Sequence, residues 1–146
     1  MTYFFDTSAL VKLFSQESGS DKIQEIVVNE NSECWVSDLA FVELYSALCR
    51  KLRNKEIKNK QFEIAVQGIR EQLDDFKIYP LAHPVVEESL RLLQDYGNNF
   101  GLRTLDALHI ASWILCSEDD WIFVSADEIQ LKVVKKLKGN IINPTV

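Results

Sequence analysis

The chain of 146 residues carries 22 acidic and 16 basic side chains, which gives a net charge of −6 at neutral pH, and 47% of its residues are hydrophobic. This length and balance are those of one globular domain, so we expect residues 1–146 to fold as a unit with a substantial core. A membrane span is excluded because no run of 18 apolar residues occurs. A secretory signal is not expected, because no basic region precedes the apolar residues at the start and Asp6 interrupts them.

The first half of the chain alternates short apolar runs with segments of helical periodicity. We predict, in chain order, a strand at 2–6, helices at 8–15 and 19–31, a strand at 33–37, and helices at 37–54 and 58–75. Each helix would carry an apolar stripe that has to be buried, so these segments are expected to pack against the strands.

The second half continues the alternation. We predict a strand at 76–80, helices at 83–96 and 102–116, a strand at 121–125, a helix at 126–138 and a strand at 140–144. Pro84 suits the first turn of the helix at 83–96, and Gly97 is expected to lie just beyond its end. The alternation predicts an α/β fold with a central parallel sheet of about five strands and helices on both sides.

Four acidic residues lie in apolar surroundings, where a charge is costly unless it is paired. Asp6 ends the predicted strand at 2–6, Glu43 lies within FVELYSAL, Asp106 lies within LRTLDALHIAS, and Asp127 follows WIFVSA. Two of these acids come just after a strand, and two lie in early turns of helices that follow a strand or loop. Such positions share one edge of a parallel sheet, so we expect the four carboxylates to converge in one pocket.

Converging carboxylates repel one another, and some stay protonated unless a cation neutralises them. Oxygen ligands without thiolate or imidazole suit Mg²⁺ or Mn²⁺ rather than zinc. Mg²⁺ keeps several waters and binds through a few carboxylates and substrate phosphates, which fits metal-assisted hydrolysis of a phosphodiester. A cation also reverses the local sign of charge, so an acidic protein of this kind can bind nucleic acid.

Each of the four acids also has a purely structural interpretation, as a helix cap or as half of an ion pair. The caps would be Asp6 and Asp127, and the ion pairs would join Glu43 to Arg50 and Asp106 to Arg103. His109 is expected to be a core histidine bonded to the backbone, because an all-oxygen site needs no imidazole. Lys12 is expected at the surface of the first helix.

The segments FFDTSALVKLF, FVELYSAL, LRTLDALHIAS and FVSADEIQLK, with NIINP after them, resemble the successive motifs of PIN-domain ribonucleases along almost the whole chain. More narrowly, they resemble the VapC-type toxins of type II toxin–antitoxin modules. The resemblance implies a hydrolase, an Mg²⁺- or Mn²⁺-dependent endoribonuclease, with Asp6 and Asp106 as the principal metal ligands. Glu43 and Asp127 would complete the catalytic and metal-binding quartet. The hydroxyls implied to orient the acids or water belong to Thr7, Ser8 and Ser125.

The resemblance also implies the partners of the chain. These are an RNA substrate, a small cognate antitoxin protein and a second copy of the chain in a homodimer. The three cysteines are odd in number and lack metal-ligand spacing, which indicates reduced thiols and a cytoplasmic protein.

The basic residues are unevenly distributed. The segment RKLRNKEIKNK at 50–60 holds six basic residues and one glutamate, and we predict that it contacts RNA phosphates without sequence preference. The side chains predicted to do so are Arg50, Arg53, Lys55 and Lys58. A solvated helix face is the alternative for such a run of charges.

Two other magnesium-binding α/β classes fit the sequence less well. A receiver domain needs two adjacent acids after its first strand and a lysine after its last, but FFDTSA offers one acid and NIINPTV no lysine. A dehalogenase-type phosphatase needs a second aspartate two residues after the first, where this chain has Ser8. The remaining alternative is a catalytically inactive PIN-fold module that acts through protein or RNA interaction.

Overall fold

Five short parallel strands form the centre of the computed structural model, which describes residues 1–146. The strands are β1 Thr2–Phe5, β2 Glu33–Ser37, β3 Lys77–Tyr79, β4 Ile122–Val124 and β5 Asn140–Ile142. Their spatial order is β3-β2-β1-β4-β5, and every neighbouring pair is parallel. The predicted parallel sheet of about five strands is therefore confirmed.

Seven α-helices connect the strands. They are α1 Thr7–Leu10, α2 Ser20–Val28, α3 Leu39–Arg53, α4 Asn59–Gln72, α5 His83–Phe100, α6 Thr104–Cys116 and α7 Glu128–Lys136. Short 3₁₀ turns, Val11–Leu13 and Leu73–Asp75, follow α1 and α4. None of the helices combines the length and the apolar character that crossing a membrane requires.

The two faces of the sheet carry separate apolar cores, because successive strand residues point in opposite directions. Phe5 packs with α1 to α4, where Leu44 is fully buried, and Phe4 packs with α5 to α7, where Ile110 is fully buried. Burying a side chain of this size contributes about 1.5–3 kcal/mol to folding. The helices thus cover both faces, as predicted.

Strand β1 lies at the centre of the sheet, and the chain order reverses across it. Strands β2 and β3 lie on one side of β1, and β4 and β5 on the other. Asp6 is the first residue after β1, and its backbone N–H donates to the carbonyl of Val124 on β4 at 3.1 Å. Open α/β sheets bind ligands in the crevice at the carboxyl ends of the strands where the strand order reverses. Asp6 lies at this place, so the topology predicts a binding site beside it.

Helix α5 is longer than predicted, and the expectation that Gly97 lies beyond its end is wrong. Gly97 is helical, and the helix continues through Phe100, whose ring stacks on Tyr96 one turn earlier with centroids 5.5 Å apart. The helix ends at Gly101, whose φ of +70° is the left-handed conformation that favours glycine after a helix.

The expectation that Lys12 lies at the surface is also wrong. Its side chain is only 7% exposed, and its ammonium lies 2.8 Å from Oε1 of Glu17. The other oxygen of Glu17 accepts a bond of 3.0 Å from Lys51 on α3. Glu17 therefore links Lys12, in the 3₁₀ turn that follows α1, to Lys51 on α3.

Candidate active site

An open cavity of about 540 Å³ lies at the carboxyl end of the sheet, and the four acids expected to converge all line it. Asp6 comes from the end of β1, Glu43 from α3, Asp106 from the first turn of α6, and Asp127 from the residue before α7. The structure thus brings together side chains that are far apart in the sequence. Their role as metal ligands remains a prediction.

Asp6 is the most enclosed of the four acids, with 1% of its surface exposed. Its carboxylate caps α1 by accepting a bond from the N–H of Ala9 at 3.0 Å, so the structural interpretation as a helix cap holds. Burial raises the pKa of Asp6 because it disfavours the charge, while His109 and the hydrogen bonds to the carboxylate act in the opposite direction.

Two serine hydroxyls hold the carboxylate of Asp6. The hydroxyl of Ser8 lies 2.8 Å from both Oδ1 and Oδ2, and the hydroxyl of Ser125 donates to Oδ2 at 2.9 Å. Both hydroxyls also accept backbone bonds of 2.9 Å, from Ala126 and Asp127 respectively. These anchored hydroxyls fix the orientation of Asp6.

Thr7 has a different partner. Its hydroxyl donates to Oε1 of Glu43 at 3.0 Å and lies 3.2 Å from Nε2 of His109. His109 is 2% exposed and is hydrogen-bonded through Nε2 to Glu43, whereas its Nδ1 has no partner. The expected core histidine is therefore buried, but it bonds to two side chains of the site rather than to the backbone. Glu43 likewise pairs with His109 and not with Arg50.

Asp106 lines the same cavity as Asp6 and is 8% exposed. Its Oδ2 accepts no hydrogen bond, and the nearest cation, Nε of Arg103, lies 3.5 Å away. Burial raises the pKa of Asp106, and the negative charge of Asp127 adds to the effect, while Arg103 opposes it. The expected pairing with Arg103 is thus present, and it involves Oδ2, the oxygen that accepts no hydrogen bond.

Asp127 serves as a helix cap and also lines the cavity. Its Oδ1 accepts the backbone N–H of Gln130 at 2.9 Å, which begins α7. The structural and functional interpretations of this residue are therefore compatible.

Gln130 belongs to the site although it was not among the predicted site residues. Its side-chain Nε2 donates to Oδ2 of Asp6 at 2.8 Å and to Oδ1 of Asp106 at 3.2 Å. It is 3% exposed, and it lies beside the buried core residue Leu131 on α7. The available signal was a long polar side chain at a core-facing position one turn after Asp127.

Three arginines line the cavity, and they are Arg50, Arg53 and Arg103. Arg50 and Arg53 were predicted to bind RNA, whereas Arg103 was considered only as a partner of Asp106. Lys55 and Lys58 follow the end of α3, are exposed and do not line the cavity. The predicted basic segment therefore divides into a part at the cavity and a part beyond it.

The donor atoms of the site suit a hard cation held by few protein ligands. No group of three or more His, Cys, Asp and Glu side chains is arranged to hold a metal ion. However, the amide nitrogen of Gln130 lies within hydrogen-bond distance of carboxylate oxygens of both Asp6 and Asp106, so the two acids are close enough to share one bound group. Mg²⁺ is commonly held by one or two carboxylates and several waters. Asp6 and Asp106 fit that arrangement.

Comparisons with known proteins agree with this fold. A model of the PIN domain family matches residues 3–136. Among solved structures, a toxin–antitoxin complex from Klebsiella pneumoniae aligns over 97% of both chains with a TM-score of 0.64 and 20% identity. VapBC2 from Rickettsia felis, bound to a promoter DNA fragment, aligns over 98% of both chains with a TM-score of 0.66 and 15% identity.

A third solved structure is VapC20 of Mycobacterium tuberculosis, described as a sarcin–ricin loop cleaving toxin. The alignment covers 89% of this chain and 93% of that one, with a TM-score of 0.67 and 12% identity. A search of curated protein sequences finds no match. At these identities the similarity extends to the fold, and the function has to be argued from the site.

Proposed function

The chain belongs to the PIN domain family, and from that premise we propose that it is an Mg²⁺- or Mn²⁺-dependent endoribonuclease, the toxin of a type II toxin–antitoxin pair. One observation carries the proposal. Carboxylate oxygens of Asp6 and Asp106 meet at the amide of Gln130 in an open cavity, which three arginines also line. This combination offers a cation site beside groups that bind phosphate.

Asp6 and Asp106 are the residues proposed to hold the metal, with Glu43 and Asp127 nearby in the same cavity. The bound cation would activate water and stabilise the charge that develops on the phosphate. Ser8 and Ser125 would keep Asp6 in one orientation, because each hydroxyl is itself fixed by a backbone N–H. Such support limits the rearrangement needed during reaction.

Glu43 is proposed to take a proton from the attacking water. Its side chain is 19% exposed in the wall of the cavity, so solvent reaches it. The hydroxyl of Thr7 and the imidazole of His109 hold its Oε1, whereas its second carboxylate oxygen accepts no hydrogen bond. A positioned carboxylate of this kind is suited to general base catalysis.

RNA is the proposed substrate in spite of the net charge of −6. Arg50, Arg53 and Arg103 place three permanent positive charges around the acids, and guanidinium groups match phosphate oxygens in geometry. They would position the backbone of the RNA without reading its sequence.

The proposal includes a cognate antitoxin, a homodimer and action in the cytoplasm. The solved toxin–antitoxin complexes of the same fold support the first of these. A basic side chain of the antitoxin is proposed to enter the cavity and pair with the carboxylates that hold the metal. Val42 lines the cavity and is 70% exposed, so it offers an apolar contact beside that charge.

The test is cleavage of labelled RNA by the purified protein with Mg²⁺ or Mn²⁺ and with EDTA. We expect cleavage only with metal, and none from the Asp106→Asn variant, which keeps the shape of the side chain and removes its charge. Expression of the wild type alone should arrest growth, and expression of the variant should not. Metal-independent cleavage, or full activity of the variant, would overturn the assignment. Absence of cleavage together with tight RNA binding would favour the inactive binding module.

A further inference from the structure

The side chain of Gln130 lies between the two carboxylates proposed to hold the metal. Its amide can face Asp6 and Asp106 only through the N–H₂ edge, because a carbonyl oxygen in that place would be repelled by both acids. The amide hydrogens thus supply part of the positive charge that two neighbouring carboxylates require.

The other edge of this amide is unsatisfied. Oε1 of Gln130 has no hydrogen-bond partner, although the residue is 3% exposed and lines the cavity. A buried acceptor without a partner destabilises the folded state, because the hydrogen bond to water that it loses on burial is not replaced. Beside two carboxylates, such an oxygen is an acceptor that a cation held by those carboxylates would satisfy.

Oδ2 of Asp6 has no free position for a cation. It accepts bonds from Ser8, Ser125 and Gln130, and a cation that binds this oxygen has to replace one of these donors. The two serine hydroxyls are held in place by backbone N–H groups. Gln130 is therefore the donor that is able to leave.

We propose that Gln130 is a metal ligand that occupies the cation position through its Nε2 when no metal is bound and presents its Oε1 to a divalent cation that enters. A half-turn of the amide makes the exchange: Oε1 gains the cation as a partner, and Nε2 leaves both Asp6 and Asp106 and turns to the side from which Oε1 came. Amide oxygen is a ligand type that Mg²⁺ and Mn²⁺ accept. This inference rests on the metal site of the proposed function and adds a ligand to it.

The test compares Mn²⁺ binding to the wild type with binding to Gln130→Met and Gln130→Glu, without RNA. Methionine keeps the length of the side chain and removes both amide groups, whereas glutamate keeps an oxygen and adds a charge. We expect the dissociation constant of Mn²⁺, measured by the paramagnetic resonance of free Mn²⁺, to rise about tenfold in Gln130→Met and to fall in Gln130→Glu. Gln67→Met, on the exposed face of α4, is the control and should bind as the wild type does.

A second measurement does not depend on the stability of the variants. Titration of ¹⁵N-labelled wild type with Mg²⁺ should shift the side-chain amide signal of Gln130, identified by its loss in Gln130→Met. An unmoved signal would overturn the proposal, as would Mn²⁺ binding by Gln130→Met that is as tight as in the wild type or tighter. If the wild type binds no Mn²⁺, the proposed metal site is overturned as well. If the wild type binds Mn²⁺, but the Gln130 substitutions leave the affinity unchanged and the Gln130 signal does not shift, this inference alone is overturned.

Discussion

The hydroxyl of Ser125 donates a hydrogen bond of 2.9 Å to Oδ2 of Asp6 across 119 positions of sequence. Each residue directly follows a strand, and Phe5 of β1 pairs with Val124 of β4 in the sheet. The parallel register of β1 and β4 therefore places Ser125 next to Asp6. In this way the sheet itself orients Asp6, the most buried acid of the site.

Removal of this bond should change the ionisation of Asp6. Burial raises the pKa of Asp6, and the bonds from Ser8 and Ser125 oppose the rise, so Ser125→Ala should raise that pKa further. Titration of the ¹³C signal of the carboxyl group measures the change. Ser112→Ala is the control, because the Ser112 hydroxyl is equally buried but donates to the backbone of Leu108. If the pKa of Asp6 is the same in Ser125→Ala as in Ser112→Ala, Ser125 does not stabilise the charge of Asp6.

Asp106 should make the metal-free protein less stable as the pH rises. Its pKa in the folded state is raised above the ordinary 3.8, so the folded state binds the proton more tightly than the unfolded state does. Stability is then lost between pH 3.8 and the folded pKa, and it stays low above that value. Asp106→Asn should remove the contribution of this carboxyl to the pH dependence and stabilise the metal-free protein at pH 7.

Urea unfolding at a series of pH values, with EDTA present, measures this effect. Asp95→Asn is the matched control, since Asp95 is exposed and lies on α5 away from the cavity. Parallel stability curves for the wild type and Asp106→Asn would contradict the prediction.

The arginines of the cavity should control the salt dependence of RNA binding. Each phosphate contact to single-stranded RNA contributes about 0.7 to the slope of log affinity against log salt concentration. The double change Arg50→Gln and Arg53→Gln should therefore flatten the slope by about 1.4, measured with the Asp106→Asn variant so that the RNA remains intact. Lys55→Gln with Lys58→Gln removes the same charge outside the cavity and should change the slope less. A larger effect of the lysines would place the RNA path beyond the cavity.

Lys12 should stabilise the fold through Glu17. Burial raises the pKa of Glu17, but the bonds from Lys12 and Lys51 outweigh it and hold the pKa below its ordinary 4.5. The resulting stability is present above pH 4.5 and is lost as the pH falls through the lowered value. Lys12→Met keeps the apolar stem and should cost about 1–2 kcal/mol at pH 7, and the difference from wild type should shrink toward pH 3. A constant difference would mean that the contribution of Lys12 comes from packing alone.

Gly97 and Gly101 should respond oppositely to alanine. Gly97 is helical, and an added Cβ meets no atom closer than 3.8 Å, so Gly97→Ala should stabilise the protein by about 0.5–1 kcal/mol. Gly101 has a φ of +70°, so Gly101→Ala should destabilise it by about 1 kcal/mol. Thermal melting of both variants tests the two signs, and equal shifts would contradict the described end of α5.

The sequence was sufficient to predict the sheet and the acids of the site, because their signals are local. An apolar strand that ends on a carboxylate marks both a buried edge and a polar site, as Asp6 shows. Asp127 follows the same pattern after β4. Covering helices on both sides explain why the central strand residues Phe4 and Phe5 of β1 and Phe123 and Val124 of β4 are apolar in succession rather than alternating with polar ones.

The missed features depend on contacts between distant segments. Lys12 is paired because the turn before α2 brings Glu17 to within 2.8 Å of its ammonium, and no periodicity predicts such a contact. Gln130 looks like one more polar residue of an amphipathic helix until Asp6 and Asp106 are placed opposite it. Gly97 and Gly101 are equally plausible helix ends by residue type, and the Tyr96–Phe100 stack accompanies the later one.

The hydrogen bond from Gln130 to Asp6 joins residues that are 124 positions apart in the sequence, and this has a consequence for synthesis on the ribosome. At a translation rate of about 5–20 residues per second, roughly 6 to 25 seconds separate the addition of the first residue from that of the second. During this interval β1 can pair with β2, but β4 and α7, which complete the surroundings of Asp6, do not yet exist. Every nascent copy therefore carries an unfinished centre until almost the whole chain has been made.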